Sequence, residues 1–134
     1  MANESWRREN KRAMFPSNWP EGCPPADAVA AQGSVFRVVR SNPPDPADFM
    51  SLLEQGRPVV GRLCESAGLS VFKELHDAVH YTKKYPYLGE LIAEGKLENR
   101  HGAMKATSRR GNSHTTWWPS AGTARHDAFA VVGS

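Results

Sequence analysis

The sequence has no long apolar run and little cysteine, and these shortages exclude several classes of protein. No stretch approaches the roughly 18 apolar residues of a membrane-crossing helix, so no membrane partner is expected. The opening MANESWRREN has no apolar core, so no secretory signal is visible. The only cysteines, Cys23 and Cys64, form no CxxC spacing, which argues against a zinc knuckle or a thioredoxin-type site.

The two cysteines and the absence of several motifs further restrict the location and the class of protein that we expect. Two cysteines without a signal peptide fit a reducing cytoplasm, so we expect a cytoplasmic protein with inert, apolar cysteines. The sequence also lacks a Walker A loop, a GxGxxG fingerprint and a GxSxG elbow. Common nucleotide-binding loops and the serine hydrolase elbow are therefore disfavoured.

The 134 residues, 40% hydrophobic and 23% charged, fit one globular domain. The net charge is only +3, and positions 1–12 hold four basic residues against two acidic ones. Prolines and glycines between residues 13 and 33 oppose helix or central strand. We therefore predict an extended, basic and Pro-rich lead-in at 1–33, with Phe15 and Trp19 docking on an α+β domain at 34–134.

The predicted elements of that domain are strands and two main helices. Asp45 is the predicted N-cap of a first helix that ends at Gly56. A second helix is predicted from an N-cap at Ser70 to Pro86, because apolar residues recur at helical spacing. Strands are predicted at 35–39, 59–60, 88–97, 103–107, 114–118 and 128–132. This order favours an α+β fold with a mostly antiparallel sheet.

Arg37 lies within the strand predicted at 35–39, which is apolar on both faces. A buried guanidinium is costly unless it is paired with an anion. Its planar fork suits a phosphate or a carboxylate, so Arg37 is our first candidate for binding an anionic ligand. Two structural alternatives stay open: pairing with an internal acid, and a strand-edge position with the guanidinium in water.

The segment HTTWWP is the densest group of chemically useful side chains. Strand alternation puts His114, Thr116 and Trp118 on one face, with Thr115 and Trp117 on the other. A His–Thr pair can bind a phosphate or orient a proton, and tryptophan can form the wall of a pocket. The two tryptophans are equally typical of a buried core or an interface.

Ser70 and a histidine pair are weaker candidates. Ser70 is a favoured N-cap residue, and the same position could present an anion to the N-terminus of a helix. His76 and His80 stand one helical turn apart, a spacing that can hold zinc. Both histidines fall off the predicted apolar stripe, so a solvated helix face is favoured and no metal is expected.

Several segments together resemble a group of small bacterial proteins with no assigned activity. The likeness spans about residues 20–130 and is carried by FRVV, NPP, GLSVF and HTTWWP. A weaker resemblance is to the ADP-ribosyltransferase fold, which implies that Arg37 holds a dinucleotide and Ser70 orients the nicotinamide ribose. That fold also implies a glutamate on a late strand, but no glutamate follows Glu98. This departure argues against transferase activity.

Three functional hypotheses follow. The first is a non-catalytic binding module for an anionic or nucleotide-like ligand or a partner protein, without a cofactor. Its candidate site residues are Arg37, Ser70, His114, Thr116 and Trp118. The second is an ADP-ribosyltransferase-like enzyme, for which NAD would be the cofactor. The third is a nucleic-acid-binding protein that uses Trp6, Arg7, Arg8, Lys11, Arg12, Arg109 and Arg110. The oligomeric state is not predicted by the sequence.

Overall fold

A seven-stranded antiparallel sheet organises the protein. The computed structural model describes residues 15–59, 61–108 and 111–133. The strands are β1 (Val29–Ala30), β2 (Gly33–Val39), β3 (Leu69–Phe72), β4 (Leu91–Leu97), β5 (Gly102–Ala106), β6 (His114–Pro119) and β7 (Phe129–Val131). Their order across the sheet is β1-β5-β6-β3-β2-β4-β7. The predicted α+β class with a mostly antiparallel sheet is confirmed.

Two helices accompany the sheet, α1 (Leu63–Ala67) and α2 (Leu75–Lys84). The number of helices agrees with the prediction, but their positions do not. Among the described residues, no helix has both the length and the apolar character that crossing a membrane requires.

The predicted helix from Asp45 to Gly56 is wrong beyond its first turn. Asp45 does form the predicted cap: its carboxylate accepts from the Asp48 backbone N–H, and the Asp48 carboxylate accepts from that of Asp45. The chain continues only as a short 3-10 turn, Pro46–Phe49, which buries the ring of Phe49. It then leaves the helical path, and Leu52 is 47% exposed.

The helix predicted to begin at Ser70 is also wrong, because Ser70 lies in β3. The helix starts five residues later, at Leu75, and the backbone N–H groups just before it bond to a residue that precedes β6. The Ser113 hydroxyl accepts hydrogen bonds from the backbone N–H groups of Lys73 and Glu74 at 3.1 and 3.0 Å. The helix ends at Lys84, just before Pro86, as predicted.

The strand predictions fare better. β4 buries Ala93, Gly95 and Leu97 and exposes the residues between them, which is the alternation that the sequence predicts. β5, β6 and β7 lie within a residue or two of their predicted bounds. No strand forms at Val59, while Val60, the other half of that predicted strand, lies outside the described residues.

The two faces of the sheet have different coverings. The first face carries the larger apolar core, in which Val35, Val71 and Trp117 pack with Phe49 from the 3-10 turn. The second face carries a smaller cluster around Trp118 and also packs against α2, where the rings of Phe72 and Tyr81 lie 5.2 Å apart. The register pairs Ser70 with Thr116 and Phe72 with His114, so these four side chains share the second face.

The segment before residue 34 is fastened to the sheet at several points. Trp19 is 7% exposed and packs in the cluster around Trp118, and the Phe15 ring stacks on it at 5.6 Å. β1 pairs with β5 at one edge of the sheet. The cysteines, expected to be reduced, instead form a disulfide between Cys23 and Cys64, which ties this segment to α1.

Candidate functional site

Arg37 lies where β2 and β3 separate. These strands share a single registered pair, Phe36 opposite Phe72. Next to that pair the Arg37 side chain bridges three elements: Nε donates to the Asp48 carbonyl oxygen at 3.0 Å, and Nη1 donates to the Ser70 carbonyl oxygen at 2.8 Å. Its guanidinium also lies over the Phe49 ring, 5.3 Å from the centroid. Packing therefore holds the cation in one orientation.

The charge on Arg37 is desolvated and forms no salt bridge with any acidic side chain of the described residues. Burial lowers the pKa of Arg37 to about 10, against the opposing effect of the Asp48 charge. The positive charge of Arg125 lowers this pKa further. Arg37 remains a cation at neutral pH, yet no carboxylate of the described residues forms a salt bridge with it within 4.0 Å.

One nitrogen of the Arg37 guanidinium, Nη2, makes no hydrogen bond to a described residue. Within residues 15–59, 61–108 and 111–133, nothing accepts a hydrogen bond from Nη2. That nitrogen retains some solvent access, because Trp19 Nε1 is the only enclosed and unbonded side-chain nitrogen or oxygen in those ranges. The guanidinium of Arg37 therefore forms no ion pair with an acid of the described residues and is not fully solvated. Neither structural alternative describes it completely.

A hydrogen-bonded chain of four side chains crosses the second face of the sheet. The Ser70 hydroxyl lies 2.9 Å from Nε2 of His114, and Nδ1 of that histidine lies 2.9 Å from the Thr107 hydroxyl. The Thr107 hydroxyl in turn lies 2.8 Å from that of Thr116. We call this chain the hydroxyl relay. Ser70 and His114 are both partly exposed, whereas Thr116 is 3% exposed.

The predicted site residues therefore divide into separate groups. Ser70, His114 and Thr116 are joined through the relay. Arg37 and Phe36 are neighbours in β2, so their side chains project to opposite faces of the sheet and that of Arg37 lies on the first face. Arg37 therefore bonds to the backbone carbonyl oxygen of Ser70 and not to its hydroxyl. Trp118 is 1% exposed, and its Nε1 donates to the Cys64 carbonyl oxygen at 2.8 Å, which makes it a core residue.

Two clefts open on the surface of the described residues. The first, about 350 Å³, is lined by Pro46, Phe49, Met50, Glu54, Thr123, Ala124, Arg125 and His126. The second, about 410 Å³, is lined by Arg40, Pro86, Tyr87, Gly89, Glu90 and Leu91. Arg37 lines neither cleft, although Phe49, which lies under its guanidinium, forms part of the first.

Several other candidates can be placed. His76 is highly exposed and lies 3.3 Å from Asp77, and the described residues gather no group of three or more histidine, cysteine or acidic side chains that could hold a metal. The residues proposed for nucleic-acid binding lie outside the described residues: Trp6, Arg7, Arg8, Lys11, Arg12, Arg109 and Arg110.

Sequence reasoning missed two features of this region. Thr107 orients the imidazole of His114, and its only signal was its position at the end of a weakly predicted strand. Arg125 forms a two-point ion pair with Glu54 at 2.7 and 2.8 Å and also donates to the Phe49 carbonyl oxygen at 2.7 Å. The partners are 71 positions apart in the sequence, so no local pattern could predict this pair.

No protein family, curated protein or solved structure compared with this chain matches it.

Proposed function

We propose that the protein binds a small anionic ligand, a carboxylate or a phosphate, through the guanidinium of Arg37. The observation that supports this proposal is a desolvated cation without an ion-pair partner among the described residues, whose Nη2 is unused. An anion entering at the break between β2 and β3 would supply the missing charge. Charge-assisted bonds of this kind are about twice as strong as neutral ones.

The surroundings of Arg37 favour a small ligand that is held in one orientation. Nε and Nη1 are committed to the carbonyl oxygens of Asp48 and Ser70, and the ring of Phe49 supports the flat side of the group. The cation does not have to be immobilised when the ligand arrives, which lowers the entropic cost of binding.

The proposal is tested by thermal denaturation and calorimetry with inorganic phosphate, sulfate, citrate, AMP and NAD. A ligand present at about 100 times its dissociation constant stabilises the native state by about 2.7 kcal/mol. We expect at least one of these anions to raise the melting temperature of the wild type. Arg37→Gln should abolish that rise, and Arg37→Lys, which keeps the charge without the fork, should weaken it.

Lys96→Gln is the matched control, because Lys96 is exposed on the neighbouring strand β4 and the same positive charge is removed. This control should bind like the wild type. If none of the anions stabilises the wild type, or if Arg37→Gln responds like the wild type, the ligand proposal is wrong. Binding of a partner protein would then be the remaining form of the first hypothesis.

A nicotinamide dinucleotide is a second candidate ligand. The 2.8 Å bond from Arg37 to the Ser70 carbonyl oxygen brings together the two residues to which the resemblance assigns dinucleotide binding, although the Ser70 hydroxyl lies on the opposite face of the sheet. Stabilisation by NAD beyond that by AMP or phosphate would support it. Transferase activity has less support, because no glutamate follows Glu98 to fill the third position.

A cytoplasmic location stays a prediction. A disulfide is typical of oxidising compartments, so the bond between Cys23 and Cys64 weighs against that prediction. Trapping the thiols in intact cells with an alkylating reagent would decide the question. Alkylation of both cysteines would favour the cytoplasm.

A further inference from the structure

The hydrogen bonds of the hydroxyl relay can be oriented in two directions. In one direction Ser70 donates to Nε2 of His114, Nδ1–H donates to Thr107, and Thr107 donates to Thr116. In the other direction every donor and acceptor is exchanged. The observed distances, between 2.8 and 2.9 Å, fit both arrangements. In the first, His114 presents a lone pair to the Ser70 hydroxyl, which is the arrangement that activates a serine nucleophile.

We propose that Ser70 and His114 form a nucleophile–base pair that hydrolyses small carboxylic esters. The contact between Ser70 Oγ and His114 Nε2, at 2.9 Å, is within reach for direct proton transfer. Both residues are partly exposed, so the pair is not sealed from solvent. This activity goes beyond anion binding and does not require Arg37 to hold a ligand.

Two neighbours keep the imidazole in place. The Thr107 hydroxyl lies 2.9 Å from Nδ1, and the Phe72 ring meets the imidazole edge-on, with centroids 5.4 Å apart. Thr107 is therefore a positioning residue that can select the required tautomer. A neutral hydroxyl stabilises an imidazolium less than a carboxylate does, so we expect slow turnover and a preference for esters with good leaving groups.

The reaction balances with water as the second substrate. Nε2 of His114 takes the hydroxyl proton while Ser70 Oγ bonds to the ester carbonyl carbon. The bond from this carbon to the alkoxy oxygen then breaks, and the imidazolium protonates the departing alcohol. Water attacks the acyl-Ser70 carbonyl carbon and passes a proton to His114. The bond between Ser70 Oγ and the acyl carbon then breaks, and His114 returns its proton to Oγ as the carboxylic acid leaves. One ester and one water therefore give one acid and one alcohol.

The decisive experiment is labelling of the full chain with a fluorophosphonate probe, read by intact mass and peptide mapping. We expect a single adduct on Ser70 and none in Ser70→Ala. His114→Gln should slow labelling about 100-fold or more, since general-base catalysis contributes about 10²–10⁴-fold. Hydrolysis of p-nitrophenyl acetate should fall in the same two variants.

Ser66→Ala is the matched control, because the Ser66 hydroxyl bonds only to the Arg62 carbonyl oxygen among the described residues. It should react like the wild type. Thr107→Val should alter the pH profile of labelling and Thr107→Ser should restore it, which a purely structural role would not produce.

Absence of an adduct on Ser70 in the folded wild type would overturn the proposal, and this result needs no variant to fold. Labelling that is equally fast in His114→Gln, with its melting temperature unchanged, would also overturn it. Anion binding is read by thermal denaturation and calorimetry, whereas the esterase proposal is read by labelling of Ser70. The esterase proposal can therefore fail while anion binding at Arg37 stands, and anion binding can fail while the esterase proposal stands.

Discussion

Removing the Cys23–Cys64 disulfide should lower the free energy of unfolding substantially. The bond joins residues separated by 41 positions and encloses most of the first half of the described chain. Applied to a loop of this size, the chain-entropy relation gives about 4 kcal/mol at 25 °C. A domain of this length loses roughly 4 °C of melting temperature per kcal/mol, so the expected decrease is about 15 °C.

The assay is thermal and urea denaturation of the oxidised protein, of the same protein with a phosphine reductant, and of the double variant Cys23→Ser, Cys64→Ser. Intact mass after alkylation gives the redox state of each sample. The reduced protein and the double variant should melt at similar temperatures, because both lose the same constraint.

Trp118 provides a local readout for the same experiment, since its indole N–H donates to the Cys64 carbonyl oxygen. Reduction should change tryptophan fluorescence before global unfolding. A reductant that leaves the melting temperature unchanged, in a sample shown by mass to be reduced, would refute the reasoning. Two freely alkylated thiols in the folded, air-oxidised protein would refute the disulfide itself.

Two further predictions concern stability. Gly102 has φ +120°, and a Cβ there would overlap the Trp118 carbonyl oxygen. Gly102→Ala should therefore cost about 3–5 kcal/mol in urea denaturation, whereas Gly122→Ala, with φ +81° and open space, should cost about 1 kcal/mol. An equal cost at both positions would contradict this. Burial raises the pKa of Glu54, but hydrogen bonds from Arg125 and Ser51 outweigh it and leave that pKa below its ordinary value. A pKa lowered in the folded state stabilises that state. The stabilisation is present above about pH 4.3, the unfolded-state pKa of glutamate, and is lost as the pH falls through the lower folded-state pKa. Glu54→Gln should therefore destabilise by roughly 1–3 kcal/mol at pH 7 and by progressively less below pH 4. Glu94→Gln, at an exposed position, is the control, and a pH-independent effect of Glu54→Gln would refute the linkage.

The strands of the sheet were predictable because their information is local. Alternation in β4 identifies the buried side at Ala93 and Leu97, and the same rule separates His114 from Trp117 in β6. A strand with one apolar face carries its register in its own sequence. The α+β class followed from the order of such segments.

The helices were misplaced because their boundaries depend on distant residues. Ser70 looks like an N-cap, but the N–H groups that precede α2 bond to Ser113, about 40 positions away. Asp45 does cap a turn, yet the 3-10 turn ends once Phe49 enters the core. Local propensity identified the cap and could not determine how far the turn continues.

The candidate site was predicted in part for a similar reason. Strand alternation selected Arg37 and His114, and a predicted N-cap position selected Ser70. Hydrogen bonds link all three, with Arg37 bonded to the Ser70 backbone. The sequence could not show that Arg37 and the Ser70 hydroxyl lie on opposite faces, since that depends on the pairing of Phe36 with Phe72. Trp118 was selected for an indole ring that is equally typical of a core, and the structure buries it at 1% exposure.

The lengths of the outermost strands restrict how this molecule can associate. β1 has two residues and β7 has three, whereas β2 and β4, with seven residues each, lie inside the sheet. Each edge of the sheet therefore offers few backbone N–H and C=O groups to an added strand, which protects against polymerisation by strand addition. A second copy or a peptide would therefore gain few backbone hydrogen bonds by extending the sheet at either edge.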